Sequence, residues 1–557
     1  MKRIYYLILT FLSFYPNIYA QVDSTKQSNK LIFTGSVQSD LLFPQEDKSI
    51  GSTKSKYRVL TNTFTDLNLN YKNLSAGVRF EDLKHPLPGF ENDYKGIGLP
   101  YFYVRGKWNN LDITLGTFYE QFGSGFILRT YEERSLGIDN SLLGGRVIYK
   151  PTKGLTFKAI TGRQRHYWNI NKSIISGVDA ELNIDEWCKS MREANLNLML
   201  GGSFVNKYES KTNDNIMVDR THLLNLPEYV NAWDIRMQMI KGGLSILAEY
   251  AQKTQDPSFA NGYIYRSGKV AMLSASYSQK GMSFLFQAKR SNDMTFKSSR
   301  STIGVSSYIN HLPAFTQDQT YALAALYPYA TRPDGEWAYQ AQFGYKFKRK
   351  TVIVGRYGMN VKINFSHVRA IDKTLNLKTS LDGKTLQGTK GYGSVFFKWG
   401  KQTFYQDFNV QLERKINKNF KLNFMYMNQI YNKTVIEGEG GMIRSNIFIA
   451  DGKYKFSNKL NLRGEIQYLS TKNDQKDWIF GLLELSIVPH LMFTASDMYN
   501  LGSTKIHYYQ GYVTLNYGAN RFQLGYGRTR SGFNCSGGVC RYVPATKGFT
   551  LSYNYNF

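Results

Sequence analysis

Cysteine, histidine and proline are scarce in these 557 residues, at 3, 7 and 13. Three cysteines exclude a disulfide-stapled scaffold and a closed four-cysteine zinc module. The histidines, at positions 85, 166, 222, 311, 367, 490 and 507, form no pair at metal-binding spacing, so neither a metal nor another cofactor is expected. No serine lies in a G-x-S-x-G context. Glu132 and Glu133 are adjacent, whereas a glycosidase pair must flank a sugar about 5–9 Å apart. The chain is therefore read as a non-enzyme. Acid is also short, 42 Asp and Glu against 70 Lys and Arg, for a net charge of +28. No Arg-rich helix or nucleic-acid motif accompanies that surplus, so nucleic acid is not the expected partner. Anionic lipid headgroups or a permeating anion fit it better.

Long apolar runs are missing as well. The one apolar stretch is Ile4–Tyr15, after Lys2 and Arg3 and before Tyr19-Ala20. That is the layout of a secretory signal, giving residues 1–20 as signal peptide and 21–29 as a short periplasmic stub. Beyond it no segment reaches the roughly 18 apolar residues a spanning helix needs.

What the chain has is alternation. In Gly548–Phe557, G-F-T-L-S-Y-N-Y-N-F, the residues Phe549, Leu551, Tyr553, Tyr555 and Phe557 share one face and Thr550, Ser552, Asn554 and Asn556 the other. Successive strand side chains point to opposite faces, so this is a strand with a greasy side and a polar side. The pattern recurs upstream. Leu74, Ala76, Val78 and Phe80 oppose Ser75, Gly77, Arg79 and Glu81, and Leu460, Leu462, Ile466 and Tyr468 oppose Asn461, Arg463, Glu465 and Gln467. Aromatic residues make up 15%, with 41 Tyr and 35 Phe, while mean hydropathy is only −0.40. A transmembrane barrel combines these, its lipid face and girdles aromatic and its lumen polar.

Turn signals alternate in length too. Lys72-Asn73, Asn109-Asn110, Lys241-Gly242, Gln279–Gly281, Asn417–Asn419, Pro489-His490 and Gly518–Asn520 are short, while 120–141, 291–335 and 369–402 are long. Short periplasmic turns and long outer loops are the bacterial pattern. The reading is an all-β, single transmembrane antiparallel β-barrel over residues 30–557, with about 24 strands (22–26) and an outer-membrane location. Gly391–Trp399 is readable either as strand or as loop. An empty barrel of that size would leak, so inward-folded loops, a partner or a flattened lumen must close it.

Three segments carry the functional expectations. Glu120–Gly145 mixes Phe122, Phe126, Ile127, Leu128, Leu136 and Ile138 with Arg129, Glu132, Glu133, Arg134, Asp139 and Arg146. That mixture suits a loop folded into the lumen, where the charges either select permeants or brace the wall. In this it is similar to the third loop of general porins. The second segment, Tyr308–Gly335, holds Tyr321, Tyr327 and Tyr329; the third, Ile184–Ala194, reads as a short helix with Trp187. Both are candidate contacts for an envelope protein partner, with a self-packed cap and a plain surface helix as the alternatives. Cys535 and Cys540 in N-C-S-G-G-V-C are expected to form a disulfide, half a zinc site being the other reading. Cys188 is left over.

The segments Y-E-Q-F-G-S-G-F-I-L-R-T-Y-E-E-R-S-L-G-I-D-N-S-L-L-G and T-Y-A-L-A-A-L-Y-P-Y-A-T, with the signal and the Phe557 ending, resemble a family of large, uncharacterised, porin-like outer-membrane barrels of Bacteroidota. The resemblance implies a barrel among lipid and lipopolysaccharide and no established activity. The terminal Phe557 also resembles the carboxy-terminal aromatic that barrel-insertion machinery reads. Two functions follow as expectations: a channel or uptake barrel for small solutes, or a non-conducting component of a secretion or outer-membrane assembly complex.

Overall fold

The structure, a computed structural model, describes residues 30–218, 220–351, 354–377 and 385–557. The expected signal peptide and stub lie outside them. Twenty-four long antiparallel strands close into a barrel, each paired with its neighbours in sequence. The last strand, Thr546–Asn556, pairs back onto the first, Ile32–Pro44, from Ser36 opposite Asn556 to Pro44 opposite Gly548. Phe557 completes that seam. Its N–H donates to the Gly35 carbonyl at 3.0 Å, its carbonyl accepts from Gly35 at 2.9 Å, and its ring lies 5.6 Å from that of Phe33.

Alternation decides which side chains see lipid. Leu115, Val178, Ile235 and Leu483 stand on the outer surface with more than half their area exposed. Their strand neighbours, such as Asp179, Asp234 and Thr114, are buried on the inside. Tight turns join strands at one end, with positive φ at Lys72 (51°), Gly242 (57°) and Gly518 (56°), the left-handed geometry that two-residue hairpins require. The longest connections, 119–141, 293–334 and 372–398, lie at the other end.

Two expectations are refined. Ile184–Ala194 is not one helix but a 3-10 turn, Ile184–Glu186, and a five-residue α-helix, Lys189–Glu193. Cys188 between them is extended, and the Asp185 carboxylate accepts from Leu198 N–H and Asn197 Nδ2, both at 3.2 Å, which ties it to the next strand. Gly391–Lys398 belongs to a loop, and only Trp399 of the ambiguous stretch is strand. Tyr392–Gly393 pairs only with Thr374–Leu375, and the spanning strand begins at Trp399.

Candidate functional site: the loop-filled lumen

Two of the three long loops turn into the barrel. Phe122, Phe126, Ile127 and Leu128 from the third outer loop (119–141), and Met294, Phe296, Ile309, Phe315, Leu323 and Tyr327 from the seventh (293–334), form one apolar core. They pack on lumen-facing Val205, Ala232, Ala251, Val270, Ala338, Ile447 and Leu469. The outer half of the lumen thus has the interior of a soluble protein, while the wall outside it faces lipid. The two loops also bond to each other. Arg129 N–H donates to Ile309 O (2.8 Å), His311 N–H to Gly125 O (2.9 Å), and Asn310 Nδ2 to Phe126 O (3.0 Å).

Buried ion pairs fasten this plug. Arg165, 3% exposed, reaches both oxygens of Glu81 at 2.9 and 2.7 Å and Asp139 Oδ2 at 2.6 Å. Arg79 donates to Asp66 at 2.6 Å and Glu132 at 2.8 Å. Arg134 donates to Glu132 at 2.7 Å, Asp66 at 2.9 Å and Gln38 at 3.1 Å. Across the barrel, Lys207 meets Asp256 at 2.9 Å, Lys289 meets Glu336 at 3.0 Å, Arg300 meets Glu209 at 3.1 Å, and Ser124 N–H and Oγ donate to Glu249 at 3.0 and 2.6 Å. A charge in such surroundings is tolerable only when paired and hydrogen-bonded.

The six charge candidates therefore divide. Glu132, Arg134 and Asp139 belong to the latch just described. Burial pushes the Glu132 carboxyl up despite Arg79 and Arg134. Burial also opposes the Arg134 charge, but the hydrogen bond and charge of Glu132 hold its pKa above the ordinary value. Arg146 stays on the wall, 3.4 Å from Glu120 and 3.8 Å from Asp112. Glu133 caps a 3-10 turn by accepting from Ser135 N–H at 3.2 Å. Arg129 lies over the Tyr131 ring at 5.0 Å. Burial, then the charges of Arg129 and Lys289, push His311 down to about 3, so it stays neutral beside them.

Tyr321, Tyr327 and Tyr329 do not form an outer contact surface. They are 8, 3 and 5% exposed inside the lumen. Their hydroxyls donate to Asp451 (3.3 Å), Asp474 (3.0 Å) and Glu336. The reason is composition: an apolar segment gains more by packing on the wall than by facing water. Trp187 is 57% exposed at the turn end, its indole N–H on Lys153 O at 2.8 Å. Cys535 and Cys540 are joined across a small hairpin, Cα–Cα 4.1 Å, and Cys188 is free.

Sequence reasoning missed Lys207, Lys253 and Lys289 and their acidic partners. Their signal was present, a lysine on the lumen face near the outer end of each strand. The partners lie 49 residues away for Lys207–Asp256 and 47 for Lys289–Glu336, but Glu209 beside Lys207 and Asp256 three residues after Lys253 were readable locally.

The loops do not cover the wall evenly. On the strands from Leu196 to Thr471 the outer lumen positions are sealed. On the arc from Leu491 through Asn556 to Pro44, mid-wall lumen-facing Ser496, Gln510, Tyr512, Ser552, Gln38 and Asp40 remain partly exposed, although at the outer end of the arc Asn500 and Leu42 are buried and Met498 and Tyr508 pack against the plug. Side chains of Arg134, Asp66 and Glu132 border this arc at 21, 20 and 19% exposure.

A closed 24-strand wall with a polar interior and an inward-folded plug defines a large outer-membrane-type β-barrel. The chain belongs to a family of unknown function, DUF6029, matched over residues 1–557. No curated protein sequence matches it. Among solved structures it is similar to the P pilus usher PapC translocation pore, at 10% identity and TM-score 0.44, covering 95% of this chain and 99% of that one. It is also similar to OccAB4 of Acinetobacter baumannii (8%, 0.35, 96% and 100%) and to the siderophore receptor PirA of Pseudomonas aeruginosa (8%, 0.39, 96% and 81%).

Proposed function

We propose that this protein is an outer-membrane channel for small polar solutes, running along the arc of wall that its loops leave uncovered. The observation that carries this is the unequal burial of lumen positions: sealed over most of the wall, but partly exposed and polar at mid-wall from Leu491 to Pro44, where Asn500, Leu42, Met498 and Tyr508 close only the outer end. Arg134, Glu132 and Asp66, joined through Arg134 at 2.7 and 2.9 Å, border that arc from the third loop and the adjoining wall and present it with a charged edge that filters permeants by charge. Arg129, Glu133, Asp139 and Arg146 act behind them as braces. The reading assigns no catalysis and no cofactor.

In the same reading residues 1–20 are removed on export and 21–29 form a periplasmic stub. Phe557 is the aromatic read by the insertion machinery, and the barrel sits among lipopolysaccharide and phospholipid in a Gram-negative envelope of the Bacteroidota type. The alternative, a non-conducting part of a secretion or assembly complex, retains Trp187 as an exposed contact but not the interior tyrosines.

Planar bilayers test the channel. The purified barrel should conduct, deletion of 122–140 should raise the conductance, and Arg134→Glu should move the reversal potential toward cation preference. Silence from both the intact and the deleted barrel would refute it.

A further inference from the structure

In the third long connection, residues 385–398 behave unlike the other two long loops, because they drape over the outside of the wall. Tyr392 and Phe396 cover outward-facing Trp337 and Arg290 near the outer rim. Val395, Phe397 and Trp399 then project at 61, 83 and 52% exposure. Rings so exposed beside the outer end of a lipid-facing wall belong in the membrane interface.

Beneath this flap lies a row in strict register. Arg290 pairs with Trp337, and Trp337 with Arg369. All three are on the lipid face. Phe284 and Phe286 precede Arg290 on that face, Tyr339 and Phe343 follow Trp337, and Phe365 precedes Arg369. Each is two residues from the outer end of its strand, or about 7 Å below the rim at strand rise. Arg290 Nη2 donates to Ser394 Oγ at 2.8 Å and Arg369 Nη2 to Gly400 O at 2.7 Å. Both Nε–H groups and the Trp337 indole N–H are buried without an acceptor. Among the described residues neither arginine has a carboxylate in ion-pair range. Of the acids at this rim, Asp334 and Asp372 are taken by Lys373 at 3.2 Å and Lys398 at 3.3 Å, and Asp293 is held by Asn261 at 3.2 Å. Lys269 stands exposed on the same face, and Arg266 is held over the Tyr392 ring at 4.0 Å. Among the described residues each guanidinium has one neutral hydrogen-bond acceptor and a ring beside it, Phe396 at 4.6 Å and Trp399 at 4.8 Å, but no anion. Two such cations, each with an orphaned Nε–H at the edge of a low-dielectric layer, call for an anion with several oxygens.

We propose that this face binds the phosphate of a phosphorylated glycolipid of the outer leaflet, with Arg290, Arg369 and Lys269 on the phosphate and Phe397 and Trp399 among the acyl chains. Phosphate charge complements the cation surplus, and the interfacial height and projecting rings place that phosphate on a lipid. The inference rests on the outer-membrane location but not on conduction.

Native mass spectrometry of the full-length mature barrel in detergent tests it, with bis-phosphorylated lipid A, dephosphorylated lipid A, phosphatidylglycerol and inorganic phosphate as probes. Bis-phosphorylated lipid A should be retained at least about tenfold better than the other three, and Arg290→Gln/Arg369→Gln should abolish that margin. The double variant is scored only in its heat-modifiable, folded form. Lys269→Gln/Phe397→Ser, at exposed positions, is the second variant and should lower retention several-fold. Lys348→Gln/Lys350→Gln at the turn end should not. Equal retention of dephosphorylated lipid A or phosphatidylglycerol, capture of inorganic phosphate alone, or unchanged retention by the folded variants would overturn the proposal. Bilayer conductance of the same samples reports separately on the channel.

Discussion

Replacing Arg165 by methionine removes the side chain that makes the shortest bonds to both wall residue Glu81 and loop residue Asp139. Its guanidinium is 3% exposed and makes three charge-assisted bonds of 2.6–2.9 Å to the two carboxylates, while its Nε donates to Tyr167 O at 2.7 Å. Methionine fills much of the same volume. It leaves Glu81 without an ion-pair partner closer than Arg79, 4.0 Å away, and Asp139 with Arg79 at 3.6 Å. Stripping one partner from a buried pair costs about 3–5 kcal/mol. The barrel cannot relieve that cost by opening its hydrogen-bonded wall, but the third loop can, by swinging Asp139 into water. A penalty of that size shifts the ratio of seated to released loop by roughly a few hundred- to a few thousand-fold. Hydrogen exchange at the amides of 130–141 should accelerate by a comparable factor while wall amides stay protected, and single-channel conductance should rise. Arg165→Met combined with Glu81→Gln and Asp139→Asn removes the stranded charges and should restore most of the protection. If loop exchange and conductance match the wild type in a folded Arg165→Met barrel, the latch reasoning is wrong.

Asp293, at the foot of the seventh loop and 1% exposed, is pushed up to about 6 by burial, with Asp256 adding to the shift and Lys253, Asn261 and Arg266 opposing it. In a released loop it would titrate near its ordinary 3.8. The seated loop thus holds an extra proton between about pH 4 and 6, and seating strengthens as pH falls through that window, by about 3 kcal/mol at most. Conductance should drop on acidification from pH 7 to 4, and Asp293→Asn should flatten the response; an unchanged profile in the variant rejects it. Cys535→Ser opens a disulfide spanning five residues, worth about 2 kcal/mol in chain entropy, so protease nicking of 532–543 should quicken while the barrel's melting temperature holds. Phe557→Ser removes ring contacts to Phe33 and Tyr555 but keeps the backbone pair with Gly35. It should cost the folded barrel about 1 kcal/mol yet cut the assembled fraction in cells several-fold; normal assembly would show the ring is not read.

The wall was legible because its physics is local. A side chain two residues along returns to the same face, so Leu460–Tyr468 and Phe549–Tyr555 reveal themselves without knowledge of any partner. Turn chemistry at Lys241-Gly242 and Gly518–Asn520 is local too. The plug was legible only in outline. Six apolar residues in 122–138 announced burial, but whether Glu132 and Arg134 faced water or Asp66 and Arg79 depended on strands more than 50 residues distant. The same limit hid the seventh loop's role. Tyr321, Tyr327 and Tyr329 look alike on an outer cap or inside a lumen, and only contacts to Asp451, Asp474 and Glu336 distinguish the two. The outward flap at 391–399 was ambiguous for a related reason: an apolar aromatic run of that length satisfies a strand, a plug or a membrane-facing loop equally well.

Where the net charge of +28 resides separates what the lumen selects from what the surface attracts. Of the deeply buried cations, Arg79, Arg165, Lys207, Lys253, Lys289 and Arg300 are matched by Asp66, Glu81, Glu132, Asp139, Glu209, Asp256 and Glu336, Arg236 is matched by Asp179 and Asp234, and Lys297 is held by the Thr302 and Gly304 carbonyls, so the interior adds little net field. The surplus lies outside. Lys72, Lys153, Lys280, Lys348, Arg349, Lys350, Lys418 and Lys459 are exposed in the short turns, and Lys269, Arg290 and Arg369 stand on the lipid face at the opposite rim. Charges separated by more than a Debye length, about 8 Å at physiological salt, are largely screened from one another. A permeant in mid-lumen therefore responds to Arg134, Glu132 and Asp66, not to the basic rims. Neutralising the turn-end lysines should leave reversal potentials unchanged, while the single reversal Arg134→Glu should move them.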